Sequence, residues 1–392
     1  MLYYKLVMKS FFLKSFFATF SIVTLPLLHA ETIDVNEDKT IDGGESYSPV
    51  EHIDYTVNHK GGKLEMTGVH VFSGASVINQ TGNTELSIET AGVKSGDSLH
   101  INQSGDGTIS GSLITDENGW PDCNGGTIKI NQTGNGEIDL HRSPDAYTGA
   151  TNFDIEQSGG GTISLDWSDV YGMGSISINQ TSSSASLSII NPYISNLISS
   201  ANISGSLTLG NESFGLSEPV TFDALTINGG TFKSHGAVNV ASLEIIGGSL
   251  STVSGAVKVT ESLVLVVDSL DNLPVLSAAG DSLWFVEDTT LTIELSDVAI
   301  QSIQNGEELN LSSLLGEGIS IIGGTNQEWD WSDVEVTSAS GNYELDYTIT
   351  APEEGSGPTF TINTVTPSVP EPATATLSLL ALAALAARRR RR

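Results

Sequence analysis

A five-residue pattern that recurs through the first half of the chain limits the fold more than any other feature of the sequence. Each copy has an isoleucine, a polar residue, a glutamine, a hydroxyl residue and a small turn residue, and successive copies are 23, 29, 25 and 23 residues apart. Repeats of this kind indicate stacked units, because one unit alone cannot bury its apolar face. The copies lie at residues 78–82, 101–105, 130–134, 155–159 and 178–182.

Each copy leads into a second apolar segment on the far side of a turn. Six residues separate four of the glutamines from the next Leu or Ile, and seven residues separate Gln180 from Leu187. Each unit is therefore predicted to be a strand, a turn of Gly, Asn or Ser, and a second strand. Stacking these units gives an all-β fold, a parallel β-solenoid with rungs about 4.8 Å apart. A worn copy at 57–61 precedes the series, and Ile203 follows its last isoleucine by 25 residues.

The recurrent glutamines share the inward parity of the isoleucines two positions before them. Amides at the inner edge of each turn can hydrogen-bond from rung to rung, as identical amides do when they align. The alternative is a row that binds a ligand such as a glycan, and the inward parity favours the structural ladder. The predicted ladder residues are Gln80, Gln103, Gln132, Gln157 and Gln180.

The repeat shortens after residue 209 to a period of 18 or 19 residues. Residues 225–232 recur at 243–250 and, in worn form, from Leu263. This tighter period resembles the Gly-Gly repeats of autotransporter-type surface proteins, and we interpret it as the same solenoid with shorter rungs. From about residue 268 the repeat stops and alternating strands follow, which predicts a small antiparallel β cap over the open end of the solenoid.

Residues 1–30 have the three parts of a secretory signal. Three lysines precede an apolar segment that runs from Phe16 to about Leu28, and Ala30 ends a suitable cleavage site. The alternative is a permanent N-terminal anchor, but this segment is shorter than the ~20 residues that span a bilayer. We therefore expect export, with cleavage after Ala30.

The other end of the chain carries a second targeting pattern. Residues 373–387 form an uncharged run of Ala, Leu, Thr and Ser, which as a helix covers only ~22 Å of a ~30 Å hydrocarbon core. Prolines just before the run forbid helix and present an extended segment, and arginines after it stay on the cytoplasmic side. The marked residues are Pro370, Glu371, Pro372, Arg388, Arg389, Arg390, Arg391 and Arg392.

A Pro-Glu-Pro triplet, a short apolar helix and a terminal arginine cluster, in this order, resemble the PEP-CTERM sorting signal. The resemblance implies recognition by the membrane peptidase exosortase and transient anchoring in the inner membrane of a Gram-negative bacterium. It further implies release to the cell surface or the extracellular polysaccharide matrix. The alternative is an ordinary C-terminal tail anchor.

These patterns divide the chain into five predicted parts. They are a signal peptide at 1–30, the solenoid at 31–267, the β cap at 268–350, a linker with the Pro-Glu-Pro triplet at 351–372, and the short sorting helix with its arginines at 373–392.

The charge of the chain excludes one class of partner. Its formal net charge of −31 repels nucleic acid. Eight of the 16 basic residues lie in residues 1–30 and 373–392, which contain no acid, so the remaining body has eight basic and 47 acidic residues and a net charge of −39. Such a surface favours solubility and allows low-affinity calcium, while no resident cofactor is expected.

Catalytic chemistry is weakly supported by the residues. Glycoside hydrolysis uses a pair of carboxylates, and two such pairs are Asp166 with Asp169 and Asp330 with Asp333. Acids are abundant everywhere in this chain, however, so such pairs also occur by chance. A lyase that acts on acidic polysaccharide needs clustered cations, and the body contains a single arginine, Arg142.

Other reactive or aromatic residues have structural interpretations. His52, His59 and His70 lack metal-ligand spacing and are predicted to be strand or turn residues. Cys123 has no partner base in its motif, and a lone cysteine excludes an internal disulfide. The 329–331 segment, Trp-Asp-Trp, is a sugar-stacking platform or, preferably, part of the core of the cap.

The leading hypothesis is thus a non-enzymatic, exported surface or matrix protein, structural or adhesive, associated with extracellular polysaccharide. One alternative is a secreted carbohydrate-active β-helix enzyme, a polysaccharide lyase or hydrolase. A second is a curli-like fibre subunit, because the Gln-x-Gly spacing resembles curlin repeats.

Overall fold

The structure is a computed structural model that describes most of the chain between residues 31 and 368. The described residues are 31–42, 50–114, 125–142, 151–167, 173–191, 194, 198–213, 215–278, 282–286, 289–307, 309, 314, 320–323, 327–328, 334–350 and 359–368.

Two long sheets of parallel strands make up the body, and each turn of the chain contributes strands to both sheets. The first sheet, sheet A, contains β1 (Thr32–Val35), β4 (Thr56–His59), β6 (Ala75–Gln80), β8 (Ser98–Gln103), β10 (Thr127–Gln132), β12 (Thr151–Gln157), β14 (Met173–Gln180), β16 (Ile198–Ile203), β18 (Val220–Asn228), β20 (Val238–Ile246), β22 (Val257–Val267), β24 (Ser282–Phe285), β25 (Thr290–Leu295), β26 (Ser320–Gly323), β27 (Gln327–Glu328) and β28 (Val334–Ser338). Sheet B contains β2 (Lys39–Asp42), β3 (Val50–Ile53), β5 (Lys63–Ser73), β7 (Glu85–Val93), β9 (Thr108–Ile114), β11 (Glu137–Arg142), β13 (Thr162–Asp166), β15 (Ser186–Ile190), β17 (Ser206–Leu209), β19 (Thr231–Ser234), β21 (Ser249–Thr252) and β23 (Val275–Ser277).

The register of the sheets follows the sequence repeat, which confirms the predicted parallel β-solenoid. Ile130 of β10 pairs with Ile101 on one side and Ile155 on the other. Alternation along each strand buries one face, so that in β10 Ile128 and Ile130 are buried while Lys129 is exposed. The inward residues of both sheets form one continuous apolar core. Each fully buried isoleucine of this kind contributes about 1.5–3 kcal/mol.

Glycines in the turns allow neighbouring rungs to approach each other. A Cβ at Gly136 would lie 2.1 Å from the carbonyl oxygen of Gly107, and a Cβ at Gly159 would lie 1.9 Å from that of Gly134. No side chain tolerates this approach, so the glycines of the repeat are explained by packing between turns.

The end of the first repeat series needs one correction. The sequence predicts that Ile203 continues the isoleucine column, but it pairs with Gln180, and Ala201 pairs with Ile178. The pairing of β14 with β16 shifts register after Ile176, and this irregularity moves the later residues by one position. Ile203 therefore stands in the glutamine column.

The shorter repeat continues the same two sheets. Val220, Val238 and Val257 pair in succession along sheet A, as do Leu225, Leu243 and Leu263. The parallel pairing also extends beyond residue 267, because β25 pairs with β22, and β28 pairs with β25, both in parallel.

Among the residues that the structure describes, antiparallel pairing near the C-terminus is confined to two pairs of strands. The antiparallel hairpin of β29 (Tyr343–Thr350) and β30 (Thr359–Pro367) forms a separate two-stranded sheet. Strands β26 and β27 of sheet A also pair antiparallel. The hairpin contacts the edge strand β28 through Tyr347, whose hydroxyl donates to the carbonyl of Val334 (3.0 Å) and accepts from the amide of Val336 (3.2 Å). These bonds satisfy backbone groups that an edge strand otherwise leaves unpaired.

One helix, α1 (Asp297–Gln304), follows β25. Ser296 caps its N-terminus by accepting a hydrogen bond from the amide of Ala299 at 3.1 Å. Within the described residues no helix has the length and apolar character that crossing a membrane requires.

Candidate functional site

A ladder of glutamine side chains runs along the inner edge of the turns. The Nε2 of each glutamine donates to the Oε1 of the glutamine one rung earlier, at 2.8 Å from Gln103 to Gln80 and from Gln132 to Gln103. The ladder continues at 2.7 Å from Gln157 to Gln132 and at 2.9 Å from Gln180 to Gln157. All five side chains are buried, so these bonds lie out of contact with water.

Four of the five glutamines, all except Gln180, are also tied to the turn that follows them. Gln103 donates from Nε2 to the carbonyl oxygen of Gly107, four residues later, at 2.8 Å, and Gln132 does the same to Gly136 at 2.9 Å. The amide therefore fixes both the stacking of the rungs and the shape of each turn. Its satisfied donors and acceptors leave it little capacity to bind a ligand.

The two ends of the ladder are closed by other groups. At the C-terminal end the backbone amide of Gly205 donates to Gln180 Oε1 at 2.9 Å. At the other end His59 occupies the glutamine position, pairs in register with Gln80, and places its Nε2 3.0 Å from the carbonyl oxygen of Gly62. Burial lowers the pKa of His59, so the ring is neutral at neutral pH.

A second ladder, of asparagines, runs along the outer face of sheet A, and the sequence reasoning missed it. Asn79 donates to Asn58 and Asn102 donates to Asn79, each from Nδ2 to Oδ1 at 2.9 Å. Further along, Asn179 donates to the Glu156 carboxylate at 2.7 Å, and Asn202 donates to Asn179 at 3.0 Å. The signal was present in the sequence, since the polar residue before each glutamine is asparagine in most copies.

Two histidines form a buried pair in the N-terminal rungs. The Nε2 of His52 in β3 lies 2.8 Å from the Nδ1 of His70 in β5. The two rings also stack on each other. His70 Nε2 lies 3.1 Å from the carbonyl oxygen of Thr67, which can only accept, so this nitrogen carries the proton. His70 Nδ1 then accepts from His52 Nε2, and both rings are neutral.

Burial is the main cause that keeps this pair neutral. It lowers the pKa of His52 to about 4, with a smaller contribution from the repulsion that a protonated His70 would exert. It also lowers the pKa of His70, against the opposing effects of the bond to Thr67 and of the nearby carboxylates of Glu89 and Asp42. Lys94 forms an ion pair with Glu51, which neighbours His52 along β3. The three histidines singled out in the sequence are thus strand residues, as predicted.

Most of the other predicted site residues lie outside the described residues. Asp166 is half-buried at the end of β13, while its predicted partner Asp169 is not described. The other predicted residues that lie outside the described residues are Ala30, Cys123, Trp329, Asp330, Trp331, Asp333, Pro370, Glu371, Pro372 and Arg388 to Arg392. Across the residues that are described, no group of three or more His, Cys, Asp or Glu is placed to hold a metal ion.

One aromatic residue that the sequence reasoning did not single out faces solvent. Trp284 is 45% exposed on the outer face of β24, between the buried Leu283 and Phe285. It pairs in register with Lys258, which pairs with Asn239 one rung earlier. An aromatic face beside an ammonium and an amide is suited to hold a sugar ring. Strict alternation around position 284 was the signal that could have identified it.

Comparison with known proteins decides the role of the C-terminus. Residues 368–392 match the family model of the PEP-CTERM protein-sorting motif. The chain carries a PEP-CTERM sorting motif. The match covers both the Pro-Glu-Pro triplet and the arginine cluster, which confirms the resemblance seen in the sequence.

The PEP-CTERM motif marks an exported protein that exosortase sorts, with transient membrane anchoring in a Gram-negative bacterium. No curated protein matches this chain, and no solved structure does. The resemblance of residues 225–250 to autotransporter repeats stays a prediction.

Proposed function

We propose that this protein is a non-enzymatic surface or matrix rod that associates with extracellular polysaccharide and acts by adhesion or display. The observation that carries the proposal is that one chain combines a sorting motif at 368–392 with a continuous parallel solenoid. A stack of this kind presents long, regular outer faces, and such faces suit extended partners better than small substrates.

The surface chemistry supports association with sugars. The outer column of Asn239, Lys258 and Trp284 follows the solenoid axis, with successive residues about 4.8 Å apart. A pyranose ring can stack its CH face on Trp284 while its hydroxyl groups accept hydrogen bonds from the two neighbouring side chains. A polysaccharide chain that lies along this column can contact several rungs at once.

The proposal is tested by presenting the protein without residues 1–30 and 373–392 to neutral and acidic glycans, with dextran, laminarin and alginate as probes. Retardation in gels that contain one of these glycans measures binding. Trp284→Ala is expected to weaken binding about 3- to 10-fold, the loss expected for one aromatic contact. Val253→Ala, which truncates another exposed apolar side chain, is the matched control and should bind as the wild type does.

The same incubations test the non-enzymatic part of the proposal. New reducing ends or unsaturated sugars that increase with time would contradict it and would favour the carbohydrate-active alternative. Substitution of Asp166, Asp169, Asp330 and Asp333 one at a time would then identify the carboxylate responsible. Absence of retardation with every glycan would contradict polysaccharide association.

A further inference from the structure

Five triplets of the form Asn-x-Ser/Thr lie in one column on the outer face of sheet A. In each triplet the middle residue points into the core, so the asparagine before it and the hydroxyl residue after it share the outer side. This triplet is the acceptor pattern for N-linked glycans, provided that its asparagine is accessible. The triplets are 79–81, 102–104, 131–133, 179–181 and 202–204.

The outer asparagine ladder accounts for four of these asparagines. Asn79 and Asn102 are joined to each other, and Asn202 is joined to Asn179, so their amides already have partners. In each case the asparagine is half-buried. A structural role therefore explains why these positions are asparagine, without any modification.

Asn131 is different from the other four. It pairs in register with Asn102 and Glu156, yet in the described part of the chain its side chain makes no hydrogen bond to either. It is also the exposed asparagine of the five, and Thr133 beside it is exposed too. The ladder thus does not explain asparagine at position 131, although the acceptor pattern does.

We propose that Asn131 is a site of N-linked glycosylation. The donor is an activated sugar whose anomeric carbon is bonded to a phosphate oxygen. Asn131 Nδ2 bonds to that carbon as the carbon–oxygen bond breaks, the phosphate leaves with the electron pair, and a base of the transferase takes one proton from Nδ2. The remaining N–H of the amide and its carbonyl stay on the outer face, where the glycan meets solvent.

Rung spacing explains why a single position of this column is modified. Neighbouring asparagines of the column are about 4.8 Å apart, which is too close for sugars on adjacent rungs. A glycan on Asn102 or Asn179 would also replace one of the two hydrogens of an amide that donates in the ladder, and would crowd its bond. Asn131 lies between the two bonded groups of asparagines, so its glycan breaks no ladder bond.

The sequence offers a direct test by peptide mass mapping of the protein from the cells that make it. Trypsin cleaves after Lys94, Lys129 and Arg142, so the peptide 130–142 contains the Asn131 triplet and the peptide 95–129 contains the Asn102 triplet. We expect one or more hexose masses on 130–142 and none on 95–129. An unmodified 130–142 peptide, or sugar on 95–129 in its place, would overturn the proposal.

Substitutions separate the acceptor pattern from other modifications of the same peptide. Asn131→Gln and Thr133→Ala should both reduce the sugar-bearing fraction to background, while Thr133→Ser should keep it. A sugar that persists in Thr133→Ala would contradict an N-linked acceptor. Since these side chains are exposed, the variants should be exported in wild-type amounts.

The two sources of activated sugar are distinguished by where the modification is found. A nucleotide-linked donor would modify the precursor that still carries residues 1–30, whereas a lipid-linked donor would modify only exported chains. The glycan test does not depend on the polysaccharide proposal, because it reads mass on one peptide rather than binding of the rod.

Discussion

The buried glutamine ladder makes a quantitative prediction for its central residue. Gln132→Leu keeps the volume of the side chain but removes its amide. The change deletes the bond that Gln132 donates to Gln103 Oε1 at 2.8 Å and the bond that it accepts from Gln157 at 2.7 Å. It also deletes the bond to the carbonyl oxygen of Gly136.

These losses do not all cost the same. Among the described residues Gln103 Oε1 accepts from Gln132 alone, so the substitution leaves it buried without a partner, at a cost of about 1–3 kcal/mol. Gln157 keeps its bond to Gly161, and the Gly136 carbonyl keeps the backbone amide of Thr162, so these two losses cost about 0.5–1.5 kcal/mol each. The free energy of unfolding should therefore fall by about 2–6 kcal/mol.

Replacing the whole ladder should cost less for each residue. With leucine at all five glutamine positions, no glutamine oxygen remains without its donor in the column, and apolar contacts replace the amides. The chain itself shows that the column accepts such a residue, because Ile203 follows Gln180 in register. The five-fold variant should lose less than five times the free energy that Gln132→Leu loses.

Chemical denaturation followed by circular dichroism measures the loss, and hydrogen exchange of the turn amides around Gly136 locates it. Lys129→Leu is the matched control, since it places the same leucine at an exposed position of the same strand and should change stability by less than about 0.5 kcal/mol. If Gln132→Leu unfolds at the same denaturant concentration as this control, the ladder does not stabilise the solenoid and the reasoning fails.

Three further predictions follow from the fold. A histidine in the unfolded chain has a pKa near 6.5, whereas burial lowers the pKa of His52 in the folded protein to about 4. Between these two pH values the unfolded state binds a proton that the folded state does not, so the free energy of unfolding should fall by up to about 3 kcal/mol as the pH drops from 6.5 to 4. Denaturation at a series of pH values should show a shallower decline in His52→Phe, and equal slopes would refute a role for the His52–His70 pair. Gly136→Ala should destabilise the protein by several kcal/mol in thermal unfolding, because its Cβ would lie 2.1 Å from a carbonyl oxygen, and an unchanged midpoint would contradict the close packing of the turns. Tyr347→Phe should expose the last edge strand and promote association seen by sedimentation, whereas Tyr343→Phe, whose hydroxyl has no partner in the described residues, should stay as the wild type.

The sequence was sufficient where one residue type recurs at a fixed place. The strand and turn pattern of the long repeat, the inward side of the glutamines and the pairing of His59 with Gln80 all follow from spacing and alternation. Because side chains alternate with a period of two, a repeat in register leaves little freedom for anything else.

Features that depend on distant or irregular contacts could not be predicted in this way. The parallel pairing of β28 with β25 joins segments that share no repeat, with α1 between them. The shift that brings Ile203 opposite Gln180 arises from a local irregularity that spacing does not reveal. The bonds of Tyr347 to β28 likewise depend on how the hairpin folds back.

The measurement that tests the central claim most directly is the identification of both ends of the protein after export from its own cells. Mass mapping should find a protein outside the inner membrane that begins at Glu31 and ends near the Pro-Glu-Pro triplet, without Arg388 to Arg392, and deletion of exosortase should hold the chain in the membrane with those arginines attached. A protein that reaches the outside with its arginines intact, or that is released equally well without exosortase, would contradict the account.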